Sequence, residues 1–275
     1  MTSATPNAMD IDARYALAKR VAQEAARRGM GYYQQRDDLI VEHKGGHRQD
    51  VVSMADRALE DYIRAELLAA FPDDGFLGEE SGSVDLGARC LWVIDPIDGT
   101  ACFVNGLHNW CVSIGMLLDG VPHIGAIADP NHNELFHGVR GQGAFVNDQP
   151  LRASEATHVR EGLLGVGTFY ARGTEHFIPF LTRLLGEGGM FLRNGSGALM
   201  TAYVAAGRLL GYYETLLKSW DCAAGLVLVA EAGGRSNDFL RGDGLLHGNP
   251  YLVACPGVYD QVAEMIGPML DRDSV

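Results

Sequence analysis

A run of four apolar residues, Leu91-Trp-Val-Ile94, stops at Asp95-Pro96-Ile97-Asp98-Gly99-Thr100. No other feature limits the fold of this chain so strongly. The apolar run reads as a buried strand, and a buried strand calls for layers packed over it. Pro96 fixes φ and cannot continue a ladder, so the strand is expected to end there. Gly99 lets the backbone bend, and two carboxylates three residues apart can then converge on one point. Asp95, Asp98 and a backbone carbonyl between them suit a hard cation such as Mg²⁺, which takes oxygen ligands. Thr100 adds a hydroxyl, and a helix opening after Gly99 would aim its N–H groups at a phosphate. A single Asp-Pro or Asp-Gly pair is more simply a turn with an Asx cap. The complete six-residue string favours the functional reading.

Around this string the pattern alternates between periods. Residues 1–9 read as a loose leader. A helical pattern runs from Asp10 through Ile11, Tyr15, Ala18, Ala22 and Ala25 to Gly29, and a second follows Ser53 through Leu59, Ile63 and Leu67 to Pro72, with Ser53 and Asp56 spaced like a capping box. Leu39 to His43 alternates like a strand, and Lys44-Gly-Gly-His-Arg48 reads as a loop. Trp110–Leu118 and Val121–Ala128 flank Asp119-Gly120, a hairpin signal, and Leu135–Val139 and Ala144–Val146 extend an antiparallel meander. Farther on, helices are expected from Thr174, over Ala198–Leu210, over Asp221–Ala232 and over Val258–Leu270, with strands at Tyr212-Tyr213 and Tyr251–Cys255. The expected fold class is α/β, in layers of helix and mixed sheet.

Composition excludes several function classes. The 275 residues are 47% hydrophobic and 21% charged, which is ordinary for a globular chain and excludes disorder or a fibrous repeat. The formal charge of −13 shows no bulk basic face, so no nucleic-acid partner is expected. An acidic chain makes a phosphorylated substrate awkward unless a metal neutralises the site. Five scattered cysteines without a CxxC pair read as buried thiols of a reducing cytoplasm. The apolar stretch Cys222–Ala230 is too short to span a bilayer, and no membrane association is expected.

Two further acidic strings join the first. Gly78-Glu79-Glu80-Ser81-Gly82 is by itself a solvated loop, and Trp220-Asp221 is by itself the N-cap of an apolar helix. The three together resemble the inositol monophosphatase family of metal-dependent phosphomonoesterases. The resemblance rests on Gly78-Glu79-Glu80-Ser81, on Trp92-Val-Ile-Asp95-Pro-Ile-Asp98-Gly-Thr100, and on Trp220-Asp221-Cys-Ala-Ala-Gly225 followed by Glu231-Ala-Gly-Gly234. It implies a layered α/β/α/β/α sandwich, one unit over 10–275 with halves of about 10–155 and 156–275, and a homodimer. It also implies two or three Mg²⁺ ions. Glu79, Asp95 and the carbonyl of Ile97 would hold one, Asp95, Asp98 and Asp221 a second, and a third would touch Glu79. Gly99 and Thr100 would hold the phosphate, together with Ile97 and Asp98, and Asp56 would pair with Thr100 near the attacking water, leaving Glu79, Thr100 and Asp56 as catalytic residues. Gly195, Ser196, Gly197 and Glu214 match positions that contact the alcohol half of the substrate, and Asp221 would also touch the substrate. Two departures stand out: Cys102 lies where a residue such as Asn is common, and Gly197 where Ala is frequent.

Other signals carry less. Gly141-Gln-Gly143 and Gly195-Ser-Gly197 complete no dinucleotide or P-loop fingerprint. No GxSxG elbow is present, and the nine histidines form no HExxH. The resemblance therefore implies Mg²⁺-dependent hydrolysis of a small polyol phosphate, myo-inositol 1-phosphate first. Histidinol phosphate, adenosine 3′,5′-bisphosphate and fructose 1,6-bisphosphate are the alternatives of the same chemistry. A regulatory scaffold on the same fold is the alternative of another class.

Overall fold

The computed structural model describes residues 8–38, 41–43, 51–168 and 174–271. Helix α1 (Ala8–Gln34) is followed by a small antiparallel pair, β1 (Val41–His43) with β2 (Val51–Ser53), and by helix α2 (Met54–Ala70). Then come β3 (Gly75–Gly78), β4 (Gly82–Val84), β5 (Cys90–Asp98), the short helix α3 (Thr100–Val104), β6 (Cys111–Leu118), β7 (Val121–Asp129), β8 (Glu134–Val139), β9 (Gly143–Val146) and β10 (Gln149–Pro150). These strands form one eight-stranded sheet in the order β10-β9-β8-β7-β6-β5-β3-β4. The expected meander is present, and β5 lies inside the sheet with all nine residues buried.

A second sheet comes from later in the chain: β11 (Leu163–Gly167), β12 (Met190–Leu192), β13 (Gly211–Leu217), β14 (Arg235–Ser236) and β15 (Asn249–Ala254), in the order β12-β11-β13-β15-β14. Helices α4 (Phe177–Gly186), α5 (Gly197–Ala205), α6 (Ser219–Glu231), α7 (Gly244–His247) and α8 (Pro256–Ile266) complete the described elements. Helices α1 and α2 cover one face of the large sheet, α5 and α6 lie between the two sheets, and α4 and α8 cover the outer face of the small one. The arrangement is the layered α/β/α/β/α sandwich. The middle helices explain their own composition: a helix covered on both sides is apolar all round, and α5 is buried at all but one position and α6 throughout Cys222–Val229.

Two glycines bring α6 down onto the sheet. A Cβ at Gly125 would lie 2.3 Å from the Ala224 carbonyl oxygen, and one at Gly115 would lie 2.9 Å from the Ala224 nitrogen. Any larger residue would lift the helix, and with it Asp221 at its start.

Several boundaries differ from expectation, each for a local reason. Residues 1–7 of the expected leader lie outside the described residues, and the first helix already includes Ala8 and Met9. That helix passes through Gly29, which is a packing position and not a stop: a side chain there would press on the Trp110 ring at 3.0 Å. The loop at 44–50 and the Ser53 side chain lie outside what is described. Helix α5 stops at Ala205 rather than Leu210: Gly207 adopts φ 67°, its N–H reaches the Val204 carbonyl, and that of Arg208 reaches Tyr203 in a Schellman-type closure. Strands β3, β4, β11 and β12 carry too few residues, or too many glycines, to show a period.

Candidate active site

Strand β5 does not end at Pro96. It continues to Asp98, with one residue more than its partner: Asp95 lies opposite Ser113 and Asp98 opposite Cys111. The missing proline N–H is tolerated because the bulge needs no ladder bond there. The extra residue also settles the geometry. Residues three apart on a regular strand point to opposite faces, and one inserted residue returns them to the same face. Asp95 Oδ1 accepts the Ile97 N–H at 2.9 Å, which fixes the bulge.

Asp221 arrives from the middle layer. It is the third residue of α6, and its Oδ2 accepts the Lys218 N–H at 3.2 Å. Carboxylate oxygens of Asp95, Asp98 and Asp221 lie within 4.8 Å of one another. Glu79 is not within that limit of all three, but its position follows from pairing. Strands β3 and β5 run parallel with Gly78 beside Ile94, so Glu79, just past the end of β3, comes beside Asp95 within β5, and the Glu79 N–H donates to the Ile94 carbonyl at 3.3 Å. The Glu79 charge acts on both Asp95 and Asp221.

Electrostatics follow from the crowding. Burial, then the charges of Glu79, Asp98 and Asp221, hold the Asp95 carboxyl well above the usual carboxylate range, and a hydrogen bond joins Asp95 to Asp221. Burial, then the charges of Asp98 and Glu79, raise Asp221 well above that range too, against the lowering effect of its hydrogen bond with Asp95. Without a cation, such a cluster must keep protons to limit repulsion.

Asp98 is raised by burial, opposed by the donors around it. The start of α5 supplies them: Ser196 Oγ donates to Oδ2, as does the Ala198 N–H at 2.6 Å, and the Gly197 N–H donates to Oδ1 at 3.1 Å. The Cys111 thiol lies 3.7 Å away. Ser196 also caps α5 by accepting the Leu199 N–H at 3.2 Å. The residues expected to touch an alcohol thus first tie Asp98 to the middle layer.

The phosphate end is built on Gly99, whose φ of 95° and a would-be Cβ contact of 2.5 Å with the Asn109 carbonyl oxygen leave room only for glycine. Thr100 Oγ1 lies 3.0 Å from Asp56 Oδ1 and 3.0 Å from the Ile97 carbonyl oxygen. Asp56, fully buried in the first turn of α2, thus meets Thr100.

A cavity of about 130 Å³ opens beside Asp98 and Asp221, with Gly195, Gly197, Arg193 and Glu214 on its walls. Glu214 sits on β13, opposite Gly167, where a Cβ would lie 2.1 Å from the Glu214 carboxylate. Tyr212 donates its hydroxyl to Glu214. Burial pushes Glu214 up to about 7, against the lowering effects of Tyr212 and Arg193. Two larger clefts, of about 400 and 620 Å³, contain none of Glu79, Asp95, Asp98 or Asp221. Of the two departures, Cys102 is packing: its thiol donates to the Asn194 carbonyl at 3.3 Å, it is nearly buried, and burial pushes it up. At Gly197 a Cβ would come within 3.0 Å of Leu217.

Sequence reasoning passed over Tyr212, Cys111, Arg193 and Glu60. Tyr212 was findable, because two residues before Glu214 on a strand is the same face. Cys111 was not, since only strand pairing brings it to Asp98.

A model of the inositol monophosphatase family matches residues 10–267. A protein named Nus factor SuhB from Pasteurella multocida is 36% identical over 260 residues, covering 94% of this chain and 97% of that one. An inositol-1-monophosphatase from Mesorhizobium japonicum is 39% identical over 240 residues, covering 85% and 90%. The crystal structure of the extragenic suppressor protein suhB from Bartonella henselae superposes with a TM-score of 0.84 at 32% identity, covering 94% of this chain and 98% of that one.

Proposed function

Because the chain belongs to the inositol monophosphatase family, we propose that it hydrolyses a small polyol phosphate monoester with Mg²⁺, myo-inositol 1-phosphate first. One observation carries the reading: the carboxylates of Asp95 and Asp98, both buried, and of half-buried Asp221 lie within 4.8 Å of one another, with Asp98 and Asp221 on the wall of a small cavity. The donor set is all oxygen, which fits a hard cation, and the crowded acids would otherwise have to share protons. Asp95, Asp98 and Asp221, with Glu79 and the Ile97 carbonyl, would hold two or three such ions. When bound, the ions supply neutralising charge for the phosphate and acidify water.

The chain's own residues account for the rest. Thr100 Oγ1 can take a proton from the attacking water while passing its own to Asp56 Oδ1. Glu79, beside Asp95, helps orient that water. Gly99, by lacking a side chain, leaves the backbone open to the phosphate. Glu214 accepts hydrogen bonds from polyol hydroxyls, and Tyr212 keeps its carboxylate aimed. On this reading no covalent intermediate is needed.

The test is hydrolysis of inositol 1-phosphate, histidinol phosphate, adenosine 3′,5′-bisphosphate and fructose 1,6-bisphosphate, with and without Mg²⁺, compared as kcat/KM. Turnover confined to Mg²⁺ and highest on inositol 1-phosphate is expected. A second reading is supported by the relatives that carry the name Nus factor: a protein-binding scaffold on the same fold. Mg²⁺ bound with no ester cleaved would favour it.

A further inference from the structure

Helix α2 presents two buried acids on one face, four residues apart. Asp56 meets Thr100. Glu60, 1% exposed, is not among the acids of the site, yet its carboxylate accepts the Glu80 N–H at 2.9 Å and the Ser81 N–H at 2.6 Å. Those two N–H groups belong to the β3–β4 turn, directly after Glu79. The fit is close: a Cβ at Gly78 would lie 2.5 Å from the Glu60 carboxyl carbon and from one of its oxygens. Among the described residues no cation pairs with Glu60. Its partners are backbone donors only.

We propose that Glu60 is a positioning residue whose buried carboxylate clamps the β3–β4 turn and thereby sets Glu79 against the Asp95, Asp98 and Asp221 cluster. The inference rests on the reading of Glu79 as an acid of the cation site. The physical case is one of stiffness. Glu79 stands at the tip of a strand of four residues, in the three-residue turn that the Gly78–Gly82 pair closes, and its N–H reaches the Ile94 carbonyl at 3.3 Å. Two charge-assisted hydrogen bonds tie that turn to a side chain fixed on a long helix, so the turn and α2 move as one. The α2 face thus aligns both strand ends that meet at the site: Asp56 holds the end of β5 through Thr100, and Glu60 holds the end of β3. Asp56 and Glu60 act on the same site from one rigid element.

The experiment is Mg²⁺ titration of full-length protein, read by isothermal calorimetry and by the Mg²⁺-induced rise in Tm, both independent of turnover. Glu60→Gln keeps the volume but turns one acceptor into a donor facing an N–H. Glu60→Asp keeps the charge but withdraws it by one methylene. Both should weaken the Mg²⁺ midpoint by about tenfold or more and lower kcat with little change in substrate KM. In a Glu79→Gln background the Glu60→Gln effect on Mg²⁺ should vanish. Asp74→Asn, which breaks the clamp on Arg14 and Trp92 in the same layer, should lower Tm without moving the Mg²⁺ midpoint. A wild-type Mg²⁺ midpoint in folded Glu60→Gln or Glu60→Asp, or additive effects in the double variant, overturns the proposal. Absence of Mg²⁺ binding by the wild type overturns instead the reading on which it rests.

Discussion

Glu214 carries a stability signature that can be isolated by one substitution. Its carboxyl, raised by burial from 4.5 to about 7 in the fold, binds its proton more tightly folded than unfolded. The sign follows: the contribution is fully present below about pH 4.5 and is lost as pH rises through about 7. At about 1.4 kcal/mol per pH unit, the gap amounts to about 3 kcal/mol lost once Glu214 is ionised in the fold. Between about pH 5.5 and about pH 9, roughly 2 kcal/mol of that loss falls within the measurable range. Glu214→Gln removes the titration and keeps the shape beside Gly167 and Tyr212. Urea unfolding in chelator, at both pH values, should therefore find the variant more stable relative to wild type at about pH 9 than at about pH 5.5, by about 2 kcal/mol. Any offset from the new amide is the same at both pH values and drops out of the difference. An equal stability difference at the two pH values would refute the argument, because Glu214 would then ionise in the fold as it does in the unfolded chain. Turnover of inositol 1-phosphate should fall in the same variant, mainly through a raised KM.

Asp95→Asn should lower kcat by at least about a hundredfold, about 2.7 kcal/mol of barrier, while Tm in chelator stays level or rises because a repelling buried acid is gone; steady-state kinetics at saturating Mg²⁺ and calorimetry check both. Because burial and mutual repulsion raise Asp95 and Asp221, Mg²⁺ binding should release protons and tighten as pH rises. Calorimetry in two buffers of different ionisation enthalpy measures the release, and identical heats in both would contradict it. Gly225→Ala would put a Cβ 2.3 Å from Thr201 Cγ2 where α5 and α6 cross, at a cost of about 1–3 kcal/mol in urea unfolding. Thr201→Ala in that background should recover part of the loss.

The strongly periodic elements were legible from the chain because local rules decide them. The Asp119-Gly120 hairpin and the meander after it stand on turn chemistry and period two. The middle helices, expected at Ala198 and Asp221, stand on long apolar runs. The short strands β3 and β12 were not legible, since three or four residues hold no period. Glu60 shows the same limit at the site. Its spacing from Asp56 marks a shared helix face, but nothing in the sequence says that the turn after Glu79 lies against that face.

The residue types of the site were written in the chain: three acidic strings, a glycine beside a threonine, and an apolar helix opening on Asp221. Their convergence was not. The chain signals that Asp95 and Asp98 end a buried strand, but local pattern alone pointed to a break at Pro96, and it is a one-residue bulge against β6 that turns both carboxylates to one face. Asp221 stands 123 residues beyond Asp98, and it meets the pair only because Gly115 and Gly125 let α6 lie against the sheet. Side-chain chemistry is a property of single residues and short strings. Placing like charges within a few ångströms of one another opposes Coulomb repulsion, and only the packing of two sheets around two buried helices supplies the force to do it.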